Sequence, residues 1–395
     1  MHSIKNILSL FCFAPFILQA QQVRPDKNLL QVVDNSLMLA AKQYRFMMQR
    51  LPADSFPVAF NPASGKMSID GSSGWVTGFY PAGLLYLYEA LGDTVLYHEA
   101  LKKLKPLEKE QYNKNTHDLG FMIYCPFGNA WRIHPDPHYK DVIVTAARSL
   151  AGRFSERTAS IRSWNSEPSK FYVIIDNMMN LELLFAATKF TGDSSFYKIA
   201  VTHANTTIKN HYRPDYSSYH LLNYDPQTGN IQKKQTVQGA ADESAWARGQ
   251  AWGLYGFTAM YRETKDIRYL EQANHIADFI LAHLPADKIP YWDFNAPGIP
   301  NTERDASAAT ITCSALIELA GYNKRKNARH YMQAAETMLR TLSSPAYQSA
   351  KGENGGFLLK HGVGNHPKNS EVDVPIIYTD YYYIEALVRY KKLTR

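Results

Sequence analysis

Five aspartates stand where an apolar segment is about to begin: Asp118 in THDLGF, Asp176 in IIDNMM, Asp242 in ADESAW, Asp305 in ERDASA and Asp380 in YTDYYY. A carboxylate in that position has two uses. Its oxygen can accept the unpaired amides of a first helical turn, which is ordinary capping. If burial raises its pKa, it can instead carry a proton to a substrate and take one back. Asp176 is the sharpest case, because FYVII precedes it and an apolar helix follows. A second constellation is QGAADESAWARGQAWGLYGF, residues 238–257. Arg248 and Trp252 are four apart and share a helix face. Such a pair can hold a carboxylate on the guanidinium while the indole stacks on a sugar ring. It can equally be a packed helix with an arginine burying its stem on the rim. Gly249 and Gly253 lower helix propensity and mark close packing or ligand approach.

A scaffold must bring these groups together. Apolar residues recur at three and four positions over 27–50, 78–91, 93–112, 118–127, 138–154, 177–190, 194–211, 244–263, 266–284, 305–320, 324–343 and 378–391, the pattern of amphipathic helices. No convincing run of alternating strand residues is found. The helices come in pairs joined by short polar turns, as in LLYLYEALGDTVLYHEALKKL at 84–104 and LELLFAATKFTGDSSFYKIAVTHA at 181–204. Helix pairs bury their apolar faces by stacking on neighbours. Six helical hairpins can close into an (α/α)6 barrel, with an open solenoid as the alternative. The uneven repeat lengths and the long loops 51–77, 155–175, 212–243, 285–304 and 344–377 favour the closed form. Those loops hold most of the Gly, Pro, Trp and His and are expected at one end, where function gathers on a regular scaffold. The inner helices would then present their first residues, the aspartates included, to one cavity.

The rest of the composition narrows the class. With 395 residues, 45% of them hydrophobic, the chain can build a large core. Aromatic residues are 13%, including 26 Tyr and 6 Trp, side chains whose flat faces and polar edges suit sugar rings. Residues 1–20, MHSIKNILSLFCFAPFILQA, read as a secretory signal: Lys5, an apolar run, and a small-residue cleavage site. That leaves 21–395 as a single exported domain, expected in a bacterial periplasm. The apolar run is too short to span a bilayer comfortably, and no membrane partner is expected after cleavage. Cys12 lies inside the run, not at the cleavage point, which argues against lipid attachment. Cys125 and Cys313 both sit in apolar contexts and read as buried thiols. The formal charge of +7 is spread along the chain, whereas nucleic acid calls for a concentrated basic face. No Cys/His spacing suggests a metal, and the dinucleotide, Walker, zinc-protease and serine-esterase signatures are missing.

The segments SGWVTGFYPAGLLYLYE (73–89), THDLGFMIY (116–124), IIDNMMNLELL (174–184) and ESAWARGQAWGLYGF (243–257) resemble, in this order, the unsaturated glucuronyl hydrolases, family 88 of the glycoside hydrolases. The resemblance runs over most of the mature chain. It implies an (α/α)6 barrel that needs no cofactor. It implies action on disaccharides and oligosaccharides left by polysaccharide lyases, those of glycosaminoglycans foremost, which carry a 4,5-unsaturated uronic acid at the non-reducing end. The implied chemistry is hydration of that vinyl ether. Carried over residue by residue, Asp176 matches the general acid and base and Asp118 the second essential carboxylate. His220, Gln238, Arg248 and Trp252 match the pocket that grips the unsaturated sugar, and Trp75 and Trp164 its aromatic walls. Lys368 lies in GNHPKNSEVD (364–373), where some members contact sulfate on the neighbouring sugar. Here the order of Asn365, Lys368 and Ser370 departs from the sulfate-preferring pattern. Two other functions remain on the sequence alone: an unsaturated rhamnogalacturonyl hydrolase taking pectin fragments, and a noncatalytic carbohydrate-binding barrel.

Overall fold

The computed structural model describes residues 25–165 and 167–394. The expected leader, with Cys12, lies outside the described residues. In chain order the described helices are α1 Lys27–Met48, α2 Phe79–Leu91, α3 Thr94–Leu107, α4 Asn129–Ile133, α5 Pro137–Ala151, α6 Leu181–Thr191, α7 Ser194–His211, α8 Ala247–Thr264, α9 Ile267–His283, α10 Ala306–Ala320, α11 Arg325–Leu342 and α12 Ile377–Lys392. A π-helical run, Gly120–Gly128, leads into α4, and a 3-10 turn, Ile175–Asn180, leads into α6.

Two kinds of helix alternate. The first kind has one apolar stripe. In α1 the buried Leu29, Val33, Leu37, Ala40, Tyr44 and Met47 recur at three or four residues, and the opposite face meets solvent. The second kind is buried nearly all round, as α8 is from Ala247 to Met260 and α10 is along almost its whole length. A helix without a polar face belongs inside. The inner ring runs α2, the π-helical run with α4, α6, α8, α10, α12 and back to α2, each touching the next. Contact between α12 and α2 closes the ring, which a solenoid would leave open. The chain is the expected (α/α)6 barrel.

The two rings begin differently. Five outer helices have aspartate N-caps whose side chains accept first-turn amides: Asp26, Asp93, Asp136, Asp193 and Asp266. Among the five inner aspartates only Asp305 does so, accepting from Ser307 N–H. The N-cap positions of the 3-10 turn, α8 and α12 are Ile174, Trp246 and Ile376. Capping therefore does not account for Asp176, Asp242 or Asp380. Asp380 instead accepts from Leu358 and Leu359 N–H (2.7 and 2.9 Å), anchoring the loop ahead of α12. Asp242 accepts from Thr236 N–H and pairs with Lys233.

The expectation of no strands needs correction. The long loops form β1 Phe56–Asn61, β2 Lys66–Asp70, β3 Phe154–Ser155, β4 Ser160–Ile161, β5 Phe171–Ile174, β6 Leu221–Tyr224, β7 Ile231–Gln235, β8 Gly362–Asn365 and β9 Ser370–Val374. They pair antiparallel in four small sheets, β5, β6 and β7 making one. The strands are short, and in β6 every residue is buried, so no alternation marks it. These sheets tie the loops together at the end where the inner helices start.

Further along the inner helices a cluster of largely part-buried charges forms. Arg262 pairs with Glu182 and Glu318, and Arg389 with Glu318 and Glu385 (2.7 and 3.3 Å). These groups line a cavity of about 210 Å³ with Tyr86, Tyr124 and Tyr255. Cys313 is buried, Cys125 partly so, and both are free thiols. Among the described residues no helix is long and apolar enough to cross a membrane.

Gly253 sets how closely α8 approaches Tyr212, just past the end of α7. A Cβ there would stand 2.1 Å from Tyr212 Oη and 3.8 Å from Ile175 Cδ1. The Tyr212 hydroxyl is buried and its ring packs edge-on against Phe257 at 5.7 Å, so it has little room to yield. Gly253→Ala is therefore expected to destabilise by about 1–2 kcal/mol, overpacking outweighing alanine's better helix propensity. Denaturant unfolding would measure it, and an unchanged or raised midpoint would show that the contact is soft.

Candidate active site

The 3-10 turn that carries Asp176 is pinned from three sides. Ile175 N–H donates to the His220 carbonyl at 3.0 Å, and Asn177 Nδ2 donates to the Ile161 carbonyl and Ser163 Oγ at 2.8 and 3.1 Å. The backbone thus fixes Asp176 facing the ring's interior, where it is 8% exposed. Its Oδ2 is buried with no hydrogen-bond partner among the described residues. Loss of water raises its pKa to about 7, with the nearby Asp118 charge adding to the rise. Arg248 and the Trp252 indole pull the other way without cancelling it. Trp252 Nε1 makes no hydrogen bond of ordinary geometry, so its effect on Asp176 is one of proximity.

His220 faces the same oxygen, its Nε2 3.9 Å from Asp176 Oδ2. Val237 N–H donates to His220 Nδ1 at 3.2 Å. An accepting Nδ1 places the ring proton on Nε2, the atom turned toward Asp176. Burial first, and Arg248 second, push the His220 pKa down to about 3, so the ring is neutral. Its ring centre lies 4.5 Å from that of Trp246, the two planes tilted by 40°.

Asp118 precedes the π-helical run. Thr116 Oγ1 donates to its Oδ2 at 2.6 Å, and His117 Nε2 lies 3.3 Å from its Oδ1. Burial lowers the His117 pKa. Thr116 forms an isolated antiparallel bridge with Trp164, which sets that half-buried residue beside the turn carrying Asp118.

Arg248 is 1% exposed and its donors have internal partners. It reaches Asp305 Oδ2 at 3.3 Å, Ser307 Oγ at 3.4 Å, and the carbonyls of Val363 and Gly364, the latter at 2.6 Å. Trp246 and Tyr378 rings flank it at 4.5 and 5.2 Å. It thereby ties α8 to α10 and to the β8–β9 hairpin. Trp252 differs from expectation. Its ring is fully buried against Phe121 and Tyr382, so it forms the floor and offers no stacking face. Gln238 donates to the Gly364 carbonyl at 3.0 Å, holding the same hairpin. Trp75 is half-buried against Tyr378 and Phe121 at 5.1 and 5.6 Å, which joins it to the ring cluster around Arg248 and Trp252. Lys368 sits on the 3-10 turn His366–Lys368 at the hairpin tip, and its ammonium has no ion pair among the described residues.

The structure brings Asp176, Asp118, His220, Arg248 and Trp252 together, with Gln238 and Trp75 around them and Lys368 outermost. Sequence reasoning missed Tyr378, whose buried hydroxyl has no partner and which feels Arg248, Glu371, Asp305 and Asp176 at once. The motif YTDYYY drew notice only for Asp380. It also missed Glu371, for which a single acid in a polar loop gives no signal.

Comparison with known proteins places this geometry. The model of Glycosyl Hydrolase Family 88 matches residues 53–393. The chain belongs to that family. It is a glycosidase. A curated unsaturated glucuronyl hydrolase of Formosa agariphila is 46% identical over 346 residues, 86% of each chain. The crystal structure of an unsaturated glucuronyl hydrolase specific for heparin superposes with a TM-score of 0.89 at 45% identity, over 92% of this chain and 98% of that one. A Streptococcus agalactiae unsaturated glucuronyl hydrolase, with one aspartate changed to asparagine and dGlcA-GalNAc6S bound, gives 0.79 at 31% identity over 91% of both chains.

Proposed function

We propose that residues 21–395 form one catalytic domain that hydrates the C4=C5 bond of the unsaturated uronic acid ending a lyase-made glycosaminoglycan fragment. The observation that carries this reading is Asp176: a buried carboxyl poised near pH 7, with one oxygen free and a neutral imidazole N–H beside it. A group half protonated at working pH can both give and take a proton.

In the reaction Asp176 donates its proton to C4, and positive charge develops at C5, shared with the ring oxygen. Water adds to C5, and its surplus proton returns to Asp176. The C5 hemiketal then opens, the glycosidic bond at C1 is released, and the neighbouring sugar leaves with its hydroxyl. One water is consumed and the acid is regenerated. Asp118, close enough to Asp176 to act on its pKa, is placed to favour positive charge in the transition state. His220 Nε2–H is placed to orient the water or the substrate carboxylate.

Incubation with an unsaturated uronyl disaccharide should remove its near-ultraviolet absorbance and release the second sugar. Saturable binding with the absorbance intact would instead make the chain a carbohydrate-binding barrel, and turnover confined to rhamnose-linked pectin fragments would move it to the rhamnogalacturonyl reading. We further propose that the chain is exported to a bacterial periplasm, which a mature protein beginning at Gln21 in that compartment would support.

A further inference from the structure

The mouth of the pocket carries a carboxylate that the proposed reaction does not use. Glu371 stands in β9, opposite β8, and its backbone is left-handed (φ 55°), as it is at Asn369 and Asp373 on either side (φ 49° and 56°). Holding a non-glycine residue there costs of order 1–3 kcal/mol, and such costs gather where a side chain must be aimed. Here the twist lays the Glu371 carboxylate over Gly364: a Cβ on Gly364 would meet Glu371 Oε2 at 2.3 Å. The Gly364 carbonyl is the one that accepts from Arg248 and Gln238. Glu371 therefore packs on the backbone that Arg248 and Gln238 clamp, and Arg248 in turn is close enough to lower the Asp176 pKa.

This carboxylate has no hydrogen bond or ion pair among the described residues. Burial raises its pKa, and Asp70 at the end of β2 adds to the rise, while Arg248 opposes it. The Arg248 charge is already matched by Asp305. Asp70 lies over Gly74, next to Trp75, and Lys368 points into solvent from the hairpin tip. Glu371 and Asp70 thus bring two carboxylates close together here, although the chain as a whole is net positive. The Asp176 pocket has the marks of an unfilled ligand site: Asp176 Oδ2, His220 Nε2, Trp252 Nε1 and the Tyr378 hydroxyl are all buried and unpartnered. Tyr378 feels both Asp176 and Glu371, so a sugar whose unsaturated end reaches those atoms has Glu371, with Asp70 behind it, as a neighbouring charge.

We propose that the Glu371 carboxylate, backed by Asp70, selects substrates whose second sugar bears a free ammonium group, an N-unsubstituted amino sugar, over the N-acetylated and N-sulfated forms. The inference rests on the function proposed above. An ammonium meets an unpaired anion that already lacks its full hydration, while an N-sulfate meets like charge.

The test uses three disaccharides that share the unsaturated uronate and differ only at the glucosamine nitrogen: free amine, N-acetyl and N-sulfo. For the wild type, kcat/KM is expected to fall in that order, the free amine exceeding the N-sulfo form by about tenfold or more, as expected for one unit charge at several ångströms in a partly aqueous rim. Added salt should shrink the ratio. Glu371→Gln keeps the shape and should lower the ratio by about fivefold. Asp70→Asn, on the exposed partner, should lower it less and serves if Glu371→Gln does not fold. Reading a ratio cancels any general loss of activity. A ratio equal in wild type and Glu371→Gln, or a wild type that favours the N-sulfo form, overturns the charge selection and leaves the hydrolase reading standing. Failure to turn over any of the three overturns both.

Discussion

Replacing Asp176 with asparagine is expected to leave the fold intact and to lower kcat by about a hundredfold to ten-thousandfold, the usual weight of a general acid. The amide has nearly the same shape and cannot deliver a proton to C4. The surrounding bonds to Ile175 and Asn177 hold the turn independently of the carboxylate. A folded Asp176→Asn protein working at wild-type rate would remove Asp176 from the chemistry. The pH profile supplies a second signature. Asp176 is active as the protonated acid, and its pKa is about 7 in the free enzyme. So kcat/KM should fall as pH rises through about 7. The limb cannot belong to His220, which burial holds neutral with a pKa of about 3. Bound substrate brings a carboxylate into the same pocket, and a like charge raises the pKa of an acid further. The corresponding limb in kcat should therefore lie at higher pH than that in kcat/KM. A profile flat from pH 6 to 9 would contradict the assignment.

How far the sequence alone could reach is visible in the two rings. Helix positions were legible because each turn repeats an apolar spacing, and the pairing was legible because short polar turns separate the members. The aspartates were legible as a set but not as individuals. Asp118, Asp176 and Asp305 all precede apolar segments, yet only Asp305 caps a helix, since capping depends on backbone angles one residue either side. Arg248 read as a substrate grip because its partner Asp305 is 57 residues away and its other partners are carbonyls, which no side-chain pattern announces. Trp252 shares a helix face with Arg248, but face sharing does not say which atoms meet solvent, and the ring went to the floor. Glu371 owes its position to three left-handed residues in a short hairpin, none of them glycine, so even the usual sign of such backbone was missing.

The geometry of Arg248 leads to an expected result that differs from a simple loss of substrate binding. Arg248→Ala should destabilise the free enzyme by about 3–5 kcal/mol, because it leaves a buried carboxylate without its countercharge. Asp305 has no exposed surface, and although Ser307 and Val363 N–H still donate to it, none of them brings a positive charge. The Val363 carbonyl loses its side-chain donor in the same step and the Gly364 carbonyl keeps only Gln238, so the β8–β9 hairpin should loosen and exchange its amide hydrogens faster. Pairing the change with Asp305→Asn separates the causes. If the unpaired charge dominates, the double variant should be more stable than the sum of the single effects implies. The active site gives an independent reading. Arg248 holds the Asp176 pKa below the level burial alone would set. In a folded Arg248→Ala protein the alkaline limb of kcat/KM should therefore move to higher pH. An arginine that only gripped the substrate would raise KM and leave both the unfolding midpoint and that limb in place. The two roles are not exclusive, since a guanidinium clamped between Trp246 and Tyr378 is already oriented before a carboxylate arrives. The stability change decides whether that clamping is what Arg248 does in the absence of substrate.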